Sequence, residues 1–404
     1  LLVIPNVWDD IQLVETTIIA LLGGLLGTMF TIALRRLFIV EEALPYPEGV
    51  ACREVLVAGE EGGEGAQAII YALGIGAIYG LVQKGFEATK HSVEAATSFL
   101  GTRIYAGMDL SVALLSVGFI VGIRIASFIF LGGMIGFGIL VPMYGLINGW
   151  GSAGGSVESF DIIWRQQVRY VGVGAMVLGG LYTLWSMRKT IITGISKAIR
   201  TKSSTDEDLL RTEIDLPMNK VFIFCGILVV LTILFYWSKT GSLILALAGG
   251  LFLAVTAFFF AAVAGYIAGV VGSSNSPVSG MTIATLLFTV VLVLVIGDGL
   301  LNLDTSTLML ATVLIASIVA SSAAIAGDVM QDLKTGHMVG ATPRVQQIAE
   351  IIGVITGALV IAPTLKLLHN AFGITEKACL MQAEIEYRDC DKALLAPQAE
   401  LIGD

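Results

Sequence analysis

The sequence predicts an all-α fold, a polytopic membrane helix bundle, on three observations. Hydrophobic residues fill 56% of the 404 positions and charged residues 14%, against roughly a quarter charged in soluble domains, and the mean hydropathy is +0.86. Uncharged runs of about twenty residues recur, the length a helix needs to cross hydrocarbon, whereas barrel strands would alternate over about ten. The 47 glycines, many inside those runs, suit helices that approach backbone to backbone.

Periodicity and length give about ten spans in order. The first, Leu13–Leu34, is stopped by Arg35-Arg36, and the second covers Ala66–Val82. Lys84–Arg103 is a polar connection, and Met108–Val121 is short enough to be re-entrant or broken. Ala126–Ile147, with Pro142 near its end, and Val168–Trp185 follow, with Trp150 and Trp164 at the interface between them. The later spans are Val221–Trp237, Ser242–Val271, Met281–Ile296, Ser306–Ala326 and Ala349–Leu368. Residues 1–404 read as one transmembrane domain, with a charged loop over 187–220 and a polar tail over 369–404. The loop is the most charged stretch and is placed in the cytoplasm by its Lys and Arg content. Counting outward puts Arg35-Arg36 and the Asp328–Gln347 loop on the same side. Lys84–Arg103 falls outside despite its basic residues. The first residue is Leu1, and the chain reads as a fragment.

The net charge of −9, without a basic block, argues against a nucleic-acid partner. The four cysteines, Cys52, Cys225, Cys379 and Cys390, and the three histidines, His91, His337 and His369, have no metal-ligand spacing. No phosphate loop, dinucleotide fingerprint or zinc-protease motif occurs, so nucleotide-driven transport has no motor here. A secondary transporter is the leading physical reading. A channel or an intramembrane enzyme is the alternative class, and the enzyme lacks a nucleophile-base or metal constellation.

Three stretches carry candidate chemistry. In Leu44-Pro45-Tyr46-Pro47-Glu48-Gly49 the prolines break the helix beside Glu48. Such a carboxylate either carries a proton, because desolvation raises its pKa, or complements the dipole of a first helical turn. After the small-residue run Ala320–Ala324, Asp328 and Asp332 share a face if the helix continues, which suits proton or cation handling; they equally fit a solvated helix end beside Lys334. Thr342-Pro343 opens the following helix, with Glu350 near its start. In Gly272–Thr282, the residues Ser273, Ser274, Asn275, Ser276, Pro277, Ser279 and Thr282 interrupt two long apolar runs. This is either a serine-rich turn or a helix break whose next half-helix aims its positive end at a carboxylate.

Those stretches, Leu44–Ala51, Asn275–Thr282 and Gly327–Gly336 with Gly340–Arg344, resemble the oligopeptide transporter family, which includes the yellow-stripe-like metal-chelate transporters. The resemblance implies a proton-coupled importer of small peptides or peptide-like metal chelates in the cell (inner) membrane. Substrate binding is expected at Asn275, Ser276, Pro277, Ser279, Thr282 and Tyr46, and proton coupling at Glu48, Asp328 and Asp332. The expected partners are the peptide or chelate, protons, the lipid bilayer and, as an open alternative, further copies of the chain. No cofactor or bound metal is expected.

Overall fold

The computed structural model describes residues 11–86, 88–99, 102–150, 156–172, isolated positions between 174 and 188, 210–274, 276 and 278–372. The remainder of Val168–Trp185, most of the 187–220 loop and the tail beyond Phe372 lie outside them. Among the described residues eight helices are long and apolar enough to cross a membrane. They match eight of the runs expected to span, and the architecture is an all-α membrane bundle with one added β-ribbon.

The core is built on α1 (Leu13–Arg35), which continues through wider turns to Glu41. Against it lie α8 (Met218–Thr240), α9 (Leu243–Val271), α11 (Thr305–Val339) and α12 (Pro343–Phe372). The remaining core helix, α10 (Val278–Val293), packs on α11. Serine and aspartate at the entries set the starts: Ser242 Oγ accepts from Leu245 N at 3.3 Å, and Asp304 Oδ2 from Thr307 N at 3.0 Å, each satisfying a donor the helix leaves free. Pro343 is the first residue of α12, as the sequence indicated.

The central contact is α1 on α11, and glycine makes it. A Cβ on Gly27 would stand 2.4 Å from the Ser322 carbonyl oxygen, and one on Gly23 would stand 2.6 Å from Ser321 Cβ. The GxxxG spacing of Gly23 and Gly27 thus meets the small-residue run of α11, and the two backbones touch. Leu26, Met29, Ile32, Leu314, Ile315 and Ile318, none more than 2% exposed, seal the contact on either side.

Four features differ from the sequence reading. First, α11 does not stop at Ala326 but runs 35 residues to Val339, closing at Gly340 with φ +74°. Asp328 and Asp332 are therefore inside a helix, on neighbouring turns, and not in a loop. Hydropathy falls at Asp328, but buried Met330, Leu333 and Thr335 keep the inner face packed. Second, Arg35 is not a surface stop signal: it is 3% exposed.

Third, the polar connection after α3 (Gly63–Gly80) is an antiparallel ribbon, β1 (Ser92–Phe99) paired with β2 (Thr102–Asp109). Small and β-branched residues such as Val93, Thr97, Thr102 and Ile104 favour that pleat. Fourth, the run after it, counted among the ten spans though short enough to be re-entrant or broken, forms only α4 (Val112–Val121), 10 residues long, about 15 Å at 1.5 Å per residue and too short to cross. Gly122, at φ +84°, separates it from α5 (Ile123–Ile135), which continues through wider turns into α6 (Val141–Asn148). With α7 (Ser156–Ile163), these elements enclose a second, smaller core in which Tyr105, Phe137, Phe160, Trp150 and Trp164 stack.

Replacing Gly27 with alanine is expected to lower stability by about 1–3 kcal/mol, the usual cost of forcing an extra carbon into a packed contact. Gly226 on α8 has nothing within 4 Å of its would-be Cβ, so Gly226→Ala serves as the neutral control. Thermal midpoints of both variants in detergent check the contrast.

Candidate functional site

The site forms where α9 ends and the chain breaks before α10. Gly272 caps α9 at φ +95°, a backbone conformation that glycine adopts without strain. The turn after it exposes the amides of Ser273 and Ser274, which the helices cannot satisfy. Glu48 satisfies them from 225 residues away. The Ser273 amide and hydroxyl donate to its Oε2 at 2.9 and 2.7 Å, and the Ser274 amide donates to Oε1 at 3.1 Å, joined by the Ser274 hydroxyl. A Cβ on Gly272 would stand 2.6 Å from Glu48 Oε1, so a larger residue at 272 would push the carboxylate away.

Glu48 is held in place by its own helix, α2 (Pro47–Glu61). Pro47 supplies the first helical φ, and Tyr46 enters at φ 48° with its amide donating to the Gly269 carbonyl at 2.8 Å. The Tyr46 ring is fully buried, and its hydroxyl donates to the Gly265 carbonyl at 3.0 Å. The Gln331 side chain of α11 then locks three elements. Its Oε1 accepts from Gly49 N at 2.8 Å and its Nε2 donates to the Ala268 carbonyl at 2.8 Å. Thr335 adds a donation to the Gly49 carbonyl at 3.0 Å. Asp328, one turn before Asp332 on α11, is exposed and lies near Ser273, close enough to Glu48 for the two charges to interact.

Electrostatics here bear on the two sequence readings of Glu48. Burial pushes the Glu48 carboxyl upward, but the Ser274 and Ser273 hydroxyls and amides outweigh it and hold the group below its ordinary 4.5. Glu48 is therefore ionised at neutral pH as an anchor for the broken helix, and desolvation does not bring it into proton-exchange range.

Of the residues the sequence nominated, Tyr46, Glu48 and Asp328 converge with Ser273 and Ser274. Ser276 follows, half-buried, its amide bonded to the Ser273 carbonyl at 3.0 Å. Ser279 is exposed on the first turn of α10, and the half-buried Thr282 hydroxyl donates to the Val278 carbonyl at 2.8 Å. Asp332, also exposed, does not face this turn: its Oδ2 accepts from Gln346 Nε2 of α12 at 2.9 Å. Asn275 and Pro277 lie outside the described residues. Sequence reasoning missed the roles of Gln331 and Thr335. The signal for them was a polar pair at helical spacing, i and i+4, on the otherwise apolar inner face of α11.

The site is thus a break between two long apolar helices of a polytopic bundle, braced by side chains from two other elements. The chain belongs to the oligopeptide transporter family: the family model described as OPT oligopeptide transporter protein matches residues 2–403. A Haemophilus influenzae protein, named as a proposed oligopeptide transporter, is 34% identical over 99% of this chain. The chain spans 65% of that relative's length. A Saccharomyces cerevisiae protein with the same kind of name is 35% identical over 20% of this chain and 11% of its own.

The depressed value of Glu48 sets a pH window. A carboxylate bound more favourably in the folded state stabilises above its unfolded value, and that stability is lost as pH falls through the lower folded value. Glu48→Gln should therefore lower stability by about 1–2 kcal/mol at pH 7, after discounting for partial exposure. The gap from the parent protein should close below about pH 4.5. Thermal midpoints of both proteins between pH 3.5 and 8 check the sign, and a gap that widens in acid would contradict it.

Proposed function

We propose that the protein is a proton-coupled secondary transporter of the cell membrane that imports small oligopeptides, or metal chelates built from peptide-like ligands. The observation that carries this reading is the braced break at Gly272–Val278. Ionised Glu48 fixes the turn, and Asp328 stands exposed beside Ser273 of the same turn. A zwitterionic substrate carries an ammonium and a carboxylate, and this corner offers a partner for each. Asp328 takes the ammonium, and the free amides and positive end of α10, with Ser276, Ser279 and Thr282 beside them, take the carboxylate. Asn275, Pro277 and Tyr46 complete the proposed binding stretch, with Tyr46 acting from beneath through the backbone it holds. Proton coupling is assigned to the exposed acids of α11, Asp328 and Asp332, with Glu48 as their charged neighbour.

Uptake of labelled di- to tetrapeptides into proteoliposomes under an inward proton gradient tests the reading, with ferric or nickel chelates as competitors. Substrate accumulation that collapses with the gradient is expected. Asp328→Asn should raise the half-saturating concentration about ten- to a hundredfold, the equivalent of losing one charge-assisted bond. If no substrate moves and the gradient makes no difference, the reading fails; ion currents that do not saturate with substrate would indicate a channel.

A further inference from the structure

The second polar cluster of the bundle lies at the other flank of α11, where the segment before α8 crosses the corner between α11 and α12. That segment is strapped down by four contacts. The Arg344 amide donates to the Ile214 carbonyl at 2.9 Å, and the Leu216 amide donates to Gln347 Oε1 at 2.8 Å. Arg211 donates to the Gly340 carbonyl at 2.9 Å, and Asp215 takes Gln347 Nε2 at 2.7 Å. Arg35 of α1 closes the latch, its Nη1 donating to both Asp215 carboxylate oxygens at 2.9 and 3.0 Å. Gln347 is completely buried and Arg35 nearly so.

One turn beyond Gln346 and Gln347, on the same face of α12, stands Glu350. Both of its carboxyl oxygens are shut off from solvent and receive no hydrogen bond from a donor, the polar group beside them being the Asp332 carboxylate, which only a protonated Glu350 can bond, and the Nε of Arg35 is likewise buried without an acceptor. Two groups that would satisfy each other are thus left unsatisfied in one cluster. Asp332 of α11 and Arg35 of α1 both lie close enough to Glu350 to influence its charge, while His337 of α11 stands near both Arg35 and Lys334. Asp215 faces the cluster from the strap, and Arg344 lies on α12 itself. An ionised carboxylate in this position is a buried charge without a donor, whereas a protonated one is neutral. Once ionised, it has the spare Nε of Arg35, whose charge it already feels, as a donor to draw.

We propose that Glu350 is a proton-binding site that sets this latch. In the strapped arrangement it carries a proton and leaves Arg35 to Asp215. The proton leaves through exposed Asp332 to water, and the carboxylate that remains draws Arg35 from Asp215, releasing the 210–217 strap from α12. No covalent bond other than the O–H bond changes. The link to transport rests on the proton-coupled reading above, while the latch itself does not.

Hydrogen exchange by mass spectrometry, on the protein in nanodiscs between pH 5 and 9 and corrected for intrinsic rates, tests the latch independently of transport. The parent protein should lose protection of residues 210–217 as pH rises. Glu350→Gln should stay protected throughout, and Glu350→Asp should keep a pH response at a displaced midpoint. Protection in the parent protein that is flat with pH overturns the proposal, as does a Glu350→Gln profile that falls with the parent midpoint or a flat Glu350→Asp profile.

In proteoliposomes, Glu350→Gln should retain exchange of unlabelled for labelled tetrapeptide but accumulate at least about ten-fold less under a proton gradient. Accumulation at the parent level overturns its coupling role. Absence of gradient-driven uptake in the parent protein would refute the transport reading and leave the exchange result to decide the latch.

Discussion

A backbone amide or carbonyl that loses its helical partner must find another, and the break after α9 is where this chain meets that constraint. Ending a helix leaves amides and carbonyls that a surface turn would give to water. Here the amides of Ser273 and Ser274 go to Glu48, and the Ala268 and Gly269 carbonyls go to Gln331 and the Tyr46 amide. The partners belong to α2 and α11, so the break cannot form until those two elements are docked. Three stretches far apart in sequence are thereby fixed to one another by the same unsatisfied groups.

This bracing works only because α11 is held rigidly. Glycine-mediated contact with α1 leaves no gap to absorb movement, and the apolar side chains around it are nearly all fully buried. A glycine contact adds little area but lets dispersion act along the whole crossing, which is the available driving force between helices when lipid is as apolar as leucine. The residues that position the site are therefore mostly not the residues that would touch a ligand.

Much of the bundle was legible from hydropathy, because a span announces itself through length and absence of charge. The features that were not legible are those in which polarity and burial part company. Charge at Asp328 suggested that a span had ended, yet the inner face of α11 stays apolar through Leu333 and the helix continues. Arg35 looked like an interfacial stop, yet it is buried because Asp215, 180 residues later, meets it. The ribbon over Ser92–Asp109 escaped notice because its alternation is carried by alanine, threonine and serine. Glu48 was found as a residue with two readings, and the donors around it were not legible. Sequence supplies the desolvation around a carboxylate, whereas the donors that overrule it come from a turn whose partner no local pattern names.

One geometric consequence joins the two polar clusters. Asp328 and Asp332 sit one turn apart, about 6 Å along the axis of α11, yet the first lies near Ser273 at the break and the second reaches Gln346 on α12. That separation is shorter than the Debye length of about 8 Å at physiological salt, so charge changes at one are felt at the other. Both are also carried by the same unbroken helix, so a rotation of α11 that withdraws Asp328 from the turn must also move Asp332 against α12. The broken helix and α12, the helix that holds the strap, are thus both contacted by one element, and a displacement of α11 reaches both.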